Sequence, residues 1–161
     1  MKKMLIPIAV CMAALLFMLS MPAAYAKPPT RVSGTFDYTF EITSEKWIND
    51  LWIFEATEWE TWEGDFQGTA VSHFTVMWFN YPDGPLFVWL RGTLTGTALG
   101  KSGTITFLLV GWRPLPEDWY GRWVILSGTG ELADLHGYGT WRGPGFGDPG
   151  PDIFYSGQVH F

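Results

Sequence analysis

A two-residue rhythm is the feature that most constrains this chain. From Val32 to Ile42, the residues Phe36, Tyr38, Phe40 and Ile42 alternate with Thr35, Asp37, Thr39 and Glu41. Successive side chains of an extended strand point to opposite faces, so this pattern describes a strand with one apolar and one polar face. The rhythm returns in Thr69–Phe79, where Ala70, Ser72, Phe74, Val76 and Trp78 share a face. It continues through Leu86–Ala98, Thr104–Gly111, Tyr120–Leu126, Tyr138–Arg142 and Asp152–Phe161. Turn residues separate these runs: Gly64–Gly68, Asn80–Pro85, Gly100–Gly103, Arg113–Asp118 and the Gly/Pro-rich Gly143–Pro151. Short strands at regular spacing predict an all-β fold of about eight strands. A final strand reaching Phe161 and pairing with the first would leave no open edge, which favours a single antiparallel β-barrel over a sandwich.

Two stretches need separate treatment. In Ser44–Glu63, Trp47, Leu51, Phe54, Glu58 and Trp62 recur at helical spacing after a possible Ser44 cap. Aromatic and β-branched residues favour a strand, and no Ala/Leu/Lys-rich face supports a helix. The reading adopted is a loop to about Asp50 and then a strand, with a bulge near Trp59–Trp62 where the alternation slips. The other stretch, Ser127–Gly143, joins two strands through Glu131–Leu135. Leu132 and Leu135 suit one short helical turn that caps the core, and the flanking glycines answer backbone needs. Its Gly128-Thr129-Gly130-Glu131-Leu132-Ala133 matches a dinucleotide fingerprint in letters only, because Gly137 ends any helix far too early.

The first segment stands apart. Lys2 and Lys3 precede an almost wholly apolar Met4–Met21, and Ala24-Tyr25-Ala26 offers a small-x-small cleavage site. That order is a secretory signal over residues 1–26, which leaves residues 27–161 as one β-barrel domain outside the cytoplasm, periplasmic or secreted. An uncleaved anchor is the competing reading of so long an apolar run. A lipid attachment at Cys11 is the weaker alternative, given bulky Val10 before it. The formal charge of −6 becomes more negative once the two lysines leave. An acidic domain without a Lys/Arg cluster carries no footprint for nucleic acid or anionic lipid. Cys11 is the only cysteine, so no disulfide holds the domain and a hydrophobic core must.

Three segments carry a family likeness. Phe87-Val88 through Gly96-Thr97, Gly100-Lys101-Ser102-Gly103, and the run from Ser127 to Gly139 resemble a bacterial uncharacterised family of the allene oxide cyclase-like barrel group, to which plant dirigent proteins are related. The resemblance spans about Val32 to Phe161 and implies a small eight-stranded antiparallel barrel with an interior pocket. Plant relatives are cyclases, or direct radical coupling without an oxidative centre of their own. Many bacterial members place an acidic residue in the strand before Gly-Arg-Ser-Gly. Here that region is Arg91-Gly92-Thr93, so no cyclase residue carries over.

The remaining candidates are weighed on chemistry. His73, His136 and His160 are far apart and no cysteine follows Cys11, so no metal site and no cofactor are expected. Glu55, Glu58, Glu60 and Glu63 form an acidic cluster. Paired carboxylates serve glycoside hydrolysis, but acids on an exposed strand more often solvate it and discourage edge pairing, and that is the reading adopted. Ser72 and His73 are adjacent, so they face opposite sides of a sheet and form no nucleophile–base pair. Ten tryptophans, all beyond residue 26, are the compositional anomaly. Most should fill the barrel, while Trp59, Trp62, Trp112, Arg113 and Trp119 are the candidates to line a ligand-binding mouth. The expected function is non-catalytic binding of a small apolar or aromatic molecule. A cyclase or isomerase acting on such a molecule, and a Trp-based carbohydrate-binding module, are the alternatives.

Overall fold

A computed structural model describes residues 28–144 and 153–161. The segment read as an export signal, and most of the Gly143–Pro151 loop, lie outside the described residues. Eight strands follow in order: β1 Thr30–Ile48, β2 Leu51–Gly64, β3 Phe66–Trp78, β4 Leu86–Ala98, β5 Lys101–Arg113, β6 Trp119–Gly130, β7 His136–Gly143 and β8 Ile153–His160. Each pairs antiparallel with the next, and β8 pairs with β1 from Thr30↔Val159 to Phe36↔Ile153, closing the barrel. No helix occurs among the described residues.

Local chemistry explains the tight corners. Leu99 and Gly100 both have positive φ, 51° and 78°, as the centre of a two-residue hairpin requires when it matches the twist of its strands. At the β2–β3 corner the Tyr155 hydroxyl accepts a hydrogen bond from the Phe66 amide at 2.9 Å and fixes the chain reversal. Leu132 and Leu135 are fully buried and close this end of the barrel as the sequence suggested. Their segment is a run of hydrogen-bonded turns (Leu132 N–H to Thr129 O, 3.1 Å; Leu135 N–H to Leu132 O, 3.0 Å) and not the helical turn expected. Gly137 and the β7 pairing that begins at His136 stop it from growing.

Two expectations about residues 44–63 are corrected. Ser44–Ile48 is strand, not loop: β1 pairs with β2 as far as Ile48↔Leu51. Side chains reward that pairing. Trp47 stacks on Trp52 with centroids 5.5 Å apart, Ser44 Oγ donates to Glu55 at 2.9 Å, and Trp52 Nε1 donates to Glu45 at 3.0 Å. The irregularity lies between Ile42 and Ser44, whereas Trp59–Trp62 runs in unbroken register with both neighbours.

Glycines on the inner face make room for the large aromatics. Trp123 lies against Gly139 and Gly157, and Trp141 against Gly111 and Gly121. Both indoles also donate to sheet carbonyls, Trp123 to Ser156 O and Trp141 to Val110 O, each at 3.1 Å. A ring laid over a cross-strand glycine buries its face without pushing the strands apart, and its N–H finds an acceptor in the wall. Trp123 thereby helps to fill the half of the barrel near Leu132 and Leu135, and Trp141 lies toward the other half. That other half is not filled.

Candidate functional site

The β2 residues Phe54, Ala56, Glu58, Glu60 and Trp62 share one face, because alternate residues of a strand do. All five are buried, with Glu58 and Glu60 only 5% and 2% exposed. Two carboxyl groups therefore sit inside an apolar barrel, while Glu55 and Glu63 face solvent. This corrects the expectation that the whole acidic cluster is solvating.

Glu60 is held from two sides. Trp62 Nε1 donates to one carboxyl oxygen at 2.6 Å and Ser72 Oγ donates to the other. Gly92, opposite Ser72 on β4, leaves the space that this hydroxyl occupies. Burial pushes Glu60 up to about 7, against the opposing pull of the Ser72 and Trp62 hydrogen bonds, which favour its ionised form. Burial raises Glu58 well above the ordinary carboxylate range, and the neighbouring charge of Glu60 raises it further. Among the described residues no hydrogen bond reaches Glu58. The two donors thus favour ionisation of Glu60 over that of Glu58.

Glu58 faces a compact cleft of about 50 Å³. On that scale a water needs about 10–15 Å³, so the space holds roughly three to five. Five aromatic residues wall it: Phe36, Tyr38, Phe74, Trp119 and Trp141. Val88, Leu90, Leu109 and Ile153 complete the lining. Trp119 and Ile153 begin their strands, and Trp141 lies near the end of its own. The cleft therefore opens toward the end carrying the β1–β2, β3–β4, β5–β6 and β7–β8 connections, away from the Leu132–Leu135 plug.

The five residues picked from the sequence do not form one site. Trp119 lines the cleft, stacked on Trp141 with centroids 6.3 Å apart, and Trp62 lies buried below it on Glu60. Trp59 is 47% exposed on the outer face of β2. Trp112 faces away from the core, edge-on to Phe87 at 6.2 Å. Arg113 donates through Nε to Glu117 O at 2.9 Å in the β5–β6 connection. Exposed Trp59 and Trp89 lie on register rows four residues apart, so about 14 Å separates them along the strands at roughly 3.4 Å per residue.

No protein-family model matches the chain, and no curated protein does. Among solved structures it is similar to the crystal structure of a protein of unknown function from the DUF3224 family of Shewanella oneidensis MR-1. The TM-score is 0.69 at 16% identity, over 83% of this chain and 97% of that one. At that identity the likeness concerns the fold alone.

Proposed function

We propose that this barrel binds a small molecule with an apolar body in the cleft between Trp119, Trp141 and Phe74, without transforming it. The observation that carries the reading is Glu58: a buried carboxyl with no protein partner among the described residues, at the base of an otherwise apolar cleft. Pockets of this type use a few polar groups to orient a ligand held mainly by apolar contact. Native mass spectrometry of the purified protein tests it. The parent releases a small molecule, and Leu109→Phe, which fills the cleft, releases none. A parent that carries nothing, or a variant that carries the same molecule, overturns the reading.

One observation favours a second reading, an isomerase or cyclase. A carboxyl whose hold on its proton is strengthened by burial is suited to general acid work, and strongly shifted groups concentrate at functional sites. In that reading Glu58 lends its proton to the substrate and recovers it after rearrangement. A relationship to the allene oxide cyclase-like barrels belongs to the same proposal and rests on the Ser127–Gly139 run. Export is proposed from the sequence of residues 1–26. N-terminal sequencing of the protein from the extracytoplasmic fraction should begin at Lys27, and recovery of the intact chain from membranes would replace export with anchoring.

A further inference from the structure

We infer that the cleft's ligand is an organic ammonium ion, its charged nitrogen on Glu58 and its first carbons enclosed by Phe36, Phe74, Trp119 and Trp141. The inference rests on the binding function proposed above and names its ligand class.

Charge accounting within the barrel carries it. A buried carboxylate is normally matched by a cation or a metal, because an isolated charge in an apolar interior costs several kcal/mol. Here two carboxyl groups share the interior, and no cation among the described residues accompanies them. Arg31, Lys46, Arg91, Lys101, Arg122 and Arg142 are all exposed. Arg113, the half-buried cation among the described residues, is spent on Glu117 O and does not line the cleft. His73, His136 and His160 are exposed as well. No described residue can neutralise Glu58 as it ionises, so that role falls to the ligand.

The walls say which kind of cation. A hard metal ion takes six or more oxygen ligands, and this cleft offers one free carboxyl group. Both Glu60 oxygens already accept from Ser72 and Trp62. Aromatic faces instead attract a desolvated ammonium through their quadrupoles, by about 2 kcal/mol or more where water is excluded. Phe36, Tyr38, Phe74, Trp119 and Trp141 line the same cleft as Glu58. A carboxyl group within an aromatic cage recognises a cation that carries an alkyl or aryl body, and repels a carboxylate of the same shape. The cleft's small volume admits the ammonium group and its first carbons, and the remainder of the molecule points to the open mouth.

Three probes of one shape decide it: butylammonium, 1-butanol and butyrate, each titrated into the purified protein by calorimetry, with intrinsic tryptophan fluorescence as the second signal. Butylammonium should bind at least tenfold more tightly than 1-butanol, and butyrate should not bind measurably. Glu58→Gln should reduce the butylammonium affinity at least tenfold and remove its advantage over 1-butanol. Circular dichroism on the variant confirms that it is folded, and the probe series on the parent is decisive by itself. Equal or tighter binding of 1-butanol overturns the ammonium assignment while the apolar-binding function stands. Undiminished butylammonium binding by Glu58→Gln overturns it in the same way. Failure of all three probes, with no retained molecule in the parent, overturns both.

Discussion

Trp141→Ala should destabilise the barrel by about 3–5 kcal/mol, the usual cost of emptying a buried tryptophan site. Gly111→Ala should cost about 1–3 kcal/mol, because a methyl group there meets a filled interior. That methyl would overlap the Trp141 indole and come within 3.0 Å of a Val88 methyl; no backbone atom stands among its closest neighbours. The obstacle is therefore one side chain. In the Trp141→Ala background the same Gly111→Ala change should cost little, or stabilise by occupying part of the hole. The double-mutant cycle should yield a coupling of roughly 0.5–3 kcal/mol, the range found for residues in direct contact. Urea denaturation of the four proteins measures it. Strict additivity would mean that glycine is required at 111 for the backbone alone, and the account of ring laid over glycine would fail.

That account explains why the fold could be read from the sequence so much more fully than the site. Alternation, turn residues and the closing pairing of β8 on β1 all follow from local chemistry that letters display directly. Leu132 and Leu135 declared themselves by spacing. The site was hidden by a single assumption, that tryptophan belongs inside and glutamate outside. Between Phe54 and Trp62 the strand alternates without interruption, and the even positions include Glu58 and Glu60. Placing Trp59 beside Trp62 at a ligand-binding mouth went with a bulge that does not exist. Holding to the period from Phe54 would have placed both acids inside and Trp59 on the surface. The serine that holds Glu60 was visible on the apolar face of β3, between Ala70 and Phe74, but its partner was not. Nothing in a sequence shows that Ser72 and Trp62 converge on one carboxyl group across a barrel wall. The loop assigned to Ser44–Ile48 went astray for a related reason. Its pairing is rewarded by Trp47 on Trp52 and by Ser44 and Glu45 reaching β2, contacts that exist only once the hairpin has formed.

The buried acid pair also sets how stability should vary with pH. Glu60 goes from an ordinary 4.5 to about 7 in the folded chain, chiefly by burial, so the folded state holds this proton more tightly than the unfolded state does. A carboxyl raised in this way contributes its full stability below the unfolded value and loses it as pH rises through the folded one. Between about pH 4.5 and pH 7 the fold should therefore lose on the order of 3 kcal/mol from Glu60 alone, at 1.36 kcal/mol per tenfold change in proton affinity. Glu58 is raised as well, first by burial and then by the charge of Glu60, so it acts in the same direction and extends the loss to higher pH. The other perturbed interior group, Tyr155, is pushed up to about 12, mainly by burial, and is silent in this window. Equilibrium denaturation from pH 4.5 to pH 8 should show the parent falling steadily. Glu60→Gln should follow a flatter curve, since its amide keeps an oxygen for Trp62 or Ser72 and has no proton to lose. Every other side chain is common to the two proteins, so the difference between the two curves isolates the carboxyl. A parent curve that rises over this range, or a Glu60→Gln curve parallel to it, would place the charged form of Glu60 on favourable terms with its surroundings. The barrel would then already contain the counter-charge that the ammonium ligand is inferred to bring.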